Sequence, residues 1–257
     1  MFSGALLVAA ATAVGAPAGA IVYGEVDGSR HGNVGALIAE RVGGQKGIVC
    51  SGTLIDDRVF LTAAHCTEHL RSLGIGPDQV WVTFDPTFDQ ASPLIAGTYV
   101  SHPGFNRTHS DSMDMAVVLL AEPAGIAPAQ LPPAGVLDRM KVDHSIDDQH
   151  YTAVGYGRLR ETRTGAFASI FPNSERRVAT QTYTALTDSW LRLSMNEATG
   201  DAGTCFGDSG GPHFLGDSSV VVSITVSGDA VCKATDVTYR LDTPVARDFP
   251  DDFVPLP

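Results

Sequence analysis

Cationic residues are scarce in this chain of 257 residues: 17 Lys and Arg stand against 29 Asp and Glu, a net charge of −12. No run of Lys or Arg exceeds two residues. The basic stripe that neutralises a phosphate backbone is therefore missing, and no nucleic acid is expected as a partner. The acidity serves solubility rather than fold. No internal repeat is found, and no low-complexity segment outside the amino terminus. Residues 2–22 carry no charge at all, and no histidine follows His213. The last absence decides between two readings below.

What is present suits a packed core. Apolar residues make up 44% of the chain, enough for one globular unit or two small barrels. The 27 Gly and 15 Pro supply the many turns an all-β chain needs. Period-two alternation marks strands over Gln79–Phe84 and around Tyr99. Further strands are expected at Val34–Leu54, Val59–Thr62, Tyr151–Tyr156, Arg177–Leu186, Trp190–Ser194, Val220–Ser227 and Val237–Leu241. Glu122–Pro133 holds four prolines, lacks periodicity and reads as a linker between halves. A short helix is expected from Pro244 to Phe249, stopped by Pro250.

The run Gly207-Asp208-Ser209-Gly210-Gly211-Pro212 is the most informative stretch. Glycines on both sides of a serine allow a tight turn and close approach of a substrate carbonyl. Successive N–H groups on such a turn can hold an anion, so Ser209 is a candidate nucleophile with its own oxyanion site. The same residues fit the G-x-S-x-G elbow of α/β-hydrolases, whose chain order is serine, acid, histidine. With no histidine beyond His213, that order has no base. The partners must lie upstream.

His65, in Thr62-Ala63-Ala64-His65-Cys66, follows an apolar strand and is flanked by small alanines that leave an imidazole reachable. A lone histidine is more often a satisfied core residue. Asp114 immediately precedes the apolar run Met115–Leu120. A carboxylate there is costly unless bonded, and an imidazole would supply the bond. His65, Cys66, Glu68 and His69 also approach a metal-ligand spacing. No metal is assigned to them.

These three stretches, 49 residues apart from His65 to Asp114 and 95 from Asp114 to Ser209, together resemble the trypsin-like serine proteases of chymotrypsin fold. Gly155-Tyr156-Gly157, Val226-Ser227 before Cys232, and Tyr239-Arg240-Leu241 add weaker matches over roughly residues 21 to 249. The resemblance implies an all-β fold: two six-stranded antiparallel Greek-key barrels with a short C-terminal helix. Barrel 1 would span about 21–121, the linker 122–133, barrel 2 134–243 and the helix 244–249. The site would lie in the cleft between barrels.

The resemblance further implies a His65–Asp114–Ser209 triad acting through an acyl-enzyme, an oxyanion hole of the Gly207 and Ser209 N–H groups, and disulfides Cys50–Cys66 and Cys205–Cys232. Sequence alone permits three pairings of four cysteines. Each bridge would close about 17 to 28 residues and add about 3 kcal/mol, and both imply an oxidising compartment. Gly203, Thr204, Ser227 and Asp229 would form the substrate pocket, with Ser227 also bonding Asp114. Gly203 stands where trypsins carry the aspartate that selects basic side chains, so small or medium apolar side chains are expected before the scissile bond. Asp229 or Asp201 could restore a basic preference instead. Protein or peptide substrates and protein protease inhibitors are the implied partners of a monomer with no cofactor. The alternative is a catalytically weak or inactive protease-like binding protein, but such proteins usually lose a triad member and all three are present.

Ala18-Gly19-Ala20 fits the small-x-small site of a signal peptide, so residues 1–20 read as a leader of a secreted protein. A membrane anchor has the required length, but Ala, Gly and Pro17 make this segment weakly hydrophobic, and no stable membrane association is expected. Cleavage would expose Ile21-Val22-Tyr23-Gly24, similar to the family's mature start. By resemblance, the Ile21 amine would pair with Asp208 and order the site, with no intervening propeptide. Asn106-Arg107-Thr108 matches a glycosylation sequon, which has meaning only in a eukaryotic secretory route and is more often an unmodified surface loop.

Overall fold

The computed structural model describes residues 23–41, 43–160 and 167–257. The short β1 (Glu25–Val26) is annexed to the second half of the chain. In the first half, β2 (Val34–Glu40), β3 (Lys46–Asp56), β4 (Val59–Thr62), β5 (Val80–Thr83), β6 (Ile95–Ser101) and β7 (Ala116–Leu120) close into an antiparallel barrel, in the order β2-β3-β4-β7-β6-β5. The second half has β8 (His150–Gly155), the two-residue pair β9 (Leu159–Arg160) and β10 (Ile170–Phe171), β11 (Arg177–Leu186), β12 (Trp190–Ser194), β13 (Pro212–Leu215), β14 (Val221–Gly228) and β15 (Thr235–Arg240). The order β11-β12-β15-β14-β13-β8, with β8 pairing back onto β11, closes a second six-stranded barrel. The architecture is therefore the expected all-β pair of barrels.

Apolar side chains explain why both barrels close and pack together. In β2, Val34, Leu37 and Ala39 face the main core, while Ala36 and Ile38 pack on the other face with Phe88 and Tyr156. A strand buried on both faces reads as a continuous apolar run rather than an alternating one. The main core runs on through Phe60 and Val118 to Phe214, Tyr239 and Phe249, so it spans both halves. The proline-rich linker is stitched to each barrel. Ala129 N–H donates to Leu54 O (2.8 Å), and Gln130 N–H donates to Ser219 O (2.9 Å). Buried Arg176 forms a second tie: Nε donates to Asp27 Oδ2 (2.8 Å), while Nη1 donates to Val34 O (3.0 Å) and Phe84 O (2.9 Å).

Among the described residues, three α-helices complete the fold: α1 (Ala64–Ser72), α2 (Val136–Val142) and α3 (Pro244–Asp251). The expected stop of the last helix at Phe249 is corrected, because α3 contains Pro250 and runs to Asp251. Proline removes only its own N–H, and in the last turn of a helix that loss affects a single bond. The Thr243 side chain caps the other end by accepting from Ala246 N–H (3.1 Å). Helices α1 and α2 were not anticipated, since neither has a side-chain cap to announce its start.

Candidate active site

Helix α1 begins directly after β4, so His65 occupies its first turn. The first N–H groups of a helix have no partner within it, and Ala63 at the cap position offers no side-chain acceptor. Asp114, just ahead of β7, fills that role from a distant point of the chain. Its Oδ1 accepts the His65 main-chain N–H (2.7 Å), and its Oδ2 lies 2.8 Å from His65 Nδ1. The Asp114 side chain is 3% exposed and that of His65 is 16% exposed, so the carboxylate is buried and the imidazole edge reaches solvent. The loop bearing Asp114 is anchored from the second barrel: Tyr239 Oη donates to Asp111 Oδ1 (2.7 Å), and Trp190 Nε1 donates to Ser110 O (2.8 Å).

Ser209 sits on the glycine turn. Gly210 has φ +77°, and a Cβ there would overlap Thr62 Oγ1 and approach Ala63 N to 2.6 Å. The turn thus lies against the β4–α1 junction that carries His65. Ser51 pins it from beneath. Its N–H donates to Ser209 O (3.0 Å), its Oγ donates to Gly207 O (2.9 Å), and the Ser51 Oγ also accepts Tyr156 N–H (2.9 Å). Ser209 O also sits 3.9 Å from Cys66 Sγ. Among the described residues, no hydrogen bond joins Ser209 Oγ to His65 Nε2. Such bonds are often long in unliganded sites and tighten on substrate. The N–H groups of Gly207 and Ser209 have no acceptor among the described residues, and Gly207 is at φ +102°.

Asp208 points the opposite way, into the protein. It is fully buried, with Oδ1 accepting Gly157 N–H (2.7 Å) and Oδ2 accepting Cys205 N–H (2.9 Å). A Cβ on Gly157 would overlap this carboxylate, so only glycine fits there. Burial pushes the Asp208 pKa up to about 7. The two N–H bonds oppose that rise, and the charge of Asp236 adds to it. No cation lies within ion-pair distance of Asp208 among the described residues. Ile21, its expected partner, is outside the described residues.

Both disulfides are formed, Cys50–Cys66 beside His65 and Cys205–Cys232 beside the Ser209 turn. Cys50, His65 and Cys66 are the one cluster of three potential metal ligands among the described residues. Their two sulfurs are bonded to each other and cannot ligate.

The pocket residues behave differently from expectation. Ser227 is exposed and makes no bond to Asp114 among the described residues. A bulge between Thr225 and Ser227 on β14 adds one residue and turns the serine outward. Asp229 brings no free charge to the pocket, because its carboxylate accepts the N–H groups of Lys233, Ala234 and Thr235 (2.7–3.1 Å). Burial works to raise its pKa, but those bonds prevail and lower it. Asp201 is likewise engaged, by Thr182 (3.1 Å) and Thr199 (2.7 Å). Gly203 is packed by Met195, whose Cγ and Sδ occupy the space of a Cβ there. The Met195 Cε stands 3.6 Å from the Cβ position of Gly228.

Thr204 turns its hydroxyl to Asp236 Oδ2 (2.7 Å), which also takes Gln181 Nε2 (3.0 Å) and His213 Nε2 (3.1 Å). Sequence inspection missed Ser51, Met195 and Asp236. None carries a local motif, and their roles arise from contacts across the chain.

The sequence profile of the family described as Trypsin matches residues 27–249. Kallikrein 1-related peptidase b27 of Mus musculus is 28% identical over 204 residues, 72% of each chain. Vitellin-degrading protease of Bombyx mori is 26% identical over 174 residues, 63% of this chain and 61% of that one. Kallikrein-9 of Homo sapiens is 29% identical over 181 residues, 64% and 65% of the two chains. The solved structure of HL collagenase aligns with a TM-score of 0.65 at 18% identity, covering 90% of this chain and 97% of its own, which supports the fold.

Proposed function

This chain belongs to the trypsin family, and on that premise we propose that it is a secreted serine endopeptidase working through His65, Asp114 and Ser209. The doubly bonded His65–Asp114 pair carries this conclusion. An aspartate bonded to Nδ1–H leaves Nε2 as the base. Ser209 Oγ attacks the scissile carbonyl while His65 takes its proton and returns it to the leaving amine. Water then releases the acyl group by the same route. The N–H groups of Gly207 and Ser209, without an acceptor among the described residues, receive the oxyanion, each worth about 3 kcal/mol in the transition state.

The acyl half of the substrate lies along Gly203, Thr204, Ser227 and Asp229. Gly203 offers no charge, and Met195 fills the space beneath it. Small or medium apolar side chains suit such a floor. Asp208 awaits a cation, and the amine of Ile21, freed by cleavage after Ala20, supplies it. Signal-peptide removal then yields the active form with no zymogen stage. Two disulfides support an oxidising, extracellular setting, and no helix among the described residues is long and apolar enough to cross a membrane. The test is Ser209→Ala, which abolishes peptide and ester turnover and labelling by a phosphonate or sulfonyl fluoride. Undiminished labelling of that variant would overturn the assignment.

A further inference from the structure

A cleft of about 830 Å³ opens from Gly207 toward the first barrel. It borders none of Gly203, Thr204, Ser227 or Asp229 and reaches Gly207, one of the two expected oxyanion donors. A peptide bound through Gly207 and Ser209 must send its other half into this cleft. The lining reverses the sign of the whole molecule. In a chain of net charge −12, the described residues of the cleft include Arg41, Lys46 and Arg158 against one acid, Glu40. Two of the cations are fixed in its wall: Arg41 Nη2 donates to Ile48 O (2.8 Å), and Lys46 Nζ lies 4.1 Å from the centroid of the Trp81 ring. The third stands nearest the reacting bond. Arg158 N–H donates to Phe206 O (2.8 Å), directly beside Gly207. The Arg158 guanidinium is exposed and has no partner among the described residues.

Resting on the peptidase reading above, we propose that this cleft is a leaving-group subsite selecting peptides with Asp or Glu in the first three positions after the scissile bond, with Arg158 as its principal contact. Cations held in a cleft attract an acidic segment and repel a basic one, and the discrimination weakens as salt screens it. Exposed pairs of this kind are worth about 0.2–1 kcal/mol each, or roughly a 1.5- to 5-fold rate effect per charge.

The test uses the mature protein and internally quenched peptides that share one acyl half and carry three acidic, neutral or basic residues after the cut. Rates are normalised to an ester with no residue beyond the bond. The expected result is about a tenfold preference for acidic over basic peptides at low salt, shrinking in 0.5 M NaCl and falling several-fold in Arg158→Glu. An acidic-to-basic ratio near one, or a ratio that neither salt nor Arg158→Glu changes, would overturn the proposal.

A binding measurement separates this failure from that of the peptidase reading. Fluorescence anisotropy of a labelled acidic pentapeptide, against its basic counterpart, is read on Ser209→Ala with and without Arg158→Glu. Tighter acidic binding that Arg158→Glu removes supports the subsite, and equal binding of the two peptides sinks it. Absence of ester hydrolysis by the native protein would count against the peptidase assignment alone.

Discussion

Asp114 grips His65 at two points, taking the main-chain N–H at the start of α1 with one oxygen and meeting Nδ1 with the other. One carboxylate thereby caps a helix that lacks its own capping side chain and fixes the ring on it. Position and tautomer of the imidazole are set by the same group.

Asp114→Asn separates these roles. The amide oxygen can still accept the His65 N–H, so the fold is retained. The amide NH₂ then faces Nδ1 and drives the ring proton to Nε2, removing the base. kcat is expected to fall by roughly 10⁴ with little change in melting temperature. Steady-state ester hydrolysis beside a thermal melt checks this, and a kcat within tenfold of the native value contradicts it.

Asp208 ties stability to pH. Burial raises its folded pKa to about 7, above an unfolded value of about 3.9. Between those values the native state keeps a proton that the unfolded chain has lost, so stability falls as pH rises from about 4 to about 7 and then levels. A cationic partner at Ile21 reverses the cost by stabilising the carboxylate. Chain that retains residues 1–20 should therefore lose melting temperature across that window relative to cleaved chain. Cleaved chain should lose activity as its amine deprotonates above about pH 8. Identical melting profiles for the two forms would mean that no such pair exists.

Met195→Ala tests the pocket floor. Removing the side chain packed against Gly203 should extend cleavage to Leu- and Phe-sized residues before the bond. The cavity should cost about 2–5 kcal/mol of stability, as buried Met-to-Ala changes do. Substrate profiling with denaturant unfolding reads both, and an unchanged profile would place Met195 outside the pocket.

Arg176→Met probes the tie between halves. Removing the guanidinium leaves buried Asp27 with His31, whose Nδ1 lies 2.5 Å from Asp27 Oδ1, and takes a donor from the carbonyls of Val34 and Phe84. Losing one partner of a buried pair typically costs about 3–5 kcal/mol. Chemical denaturation should show a loss of that size, whereas a change under about 1 kcal/mol would mean that the carbonyls and Asp27 find other donors.

Local signals made the strands readable. Gln79–Phe84 alternates in sequence and contains β5 (Val80–Thr83), because a pleated strand needs no distant partner to set its period. Strand β13 went unread because Pro212–Leu215 starts at the last residue of the glycine motif and is too short to show a pattern. The register of β14 was lost at its bulge, so Ser227, expected beside Asp114, faces solvent.

By itself, the order of His65, Asp114 and Ser209 determined the chemistry to look for, and strand periodicity determined an all-β chain. Only the tertiary structure decided what surrounds those groups: Met195 beneath Gly203, Ser51 under the serine turn, Asp229 spent on its own loop, and three cations gathered beside Gly207. The physical reason is range. A turn or a strand is fixed by neighbours a few residues away, whereas pocket depth and local charge depend on side chains that barrel closure brings together from opposite halves of the chain.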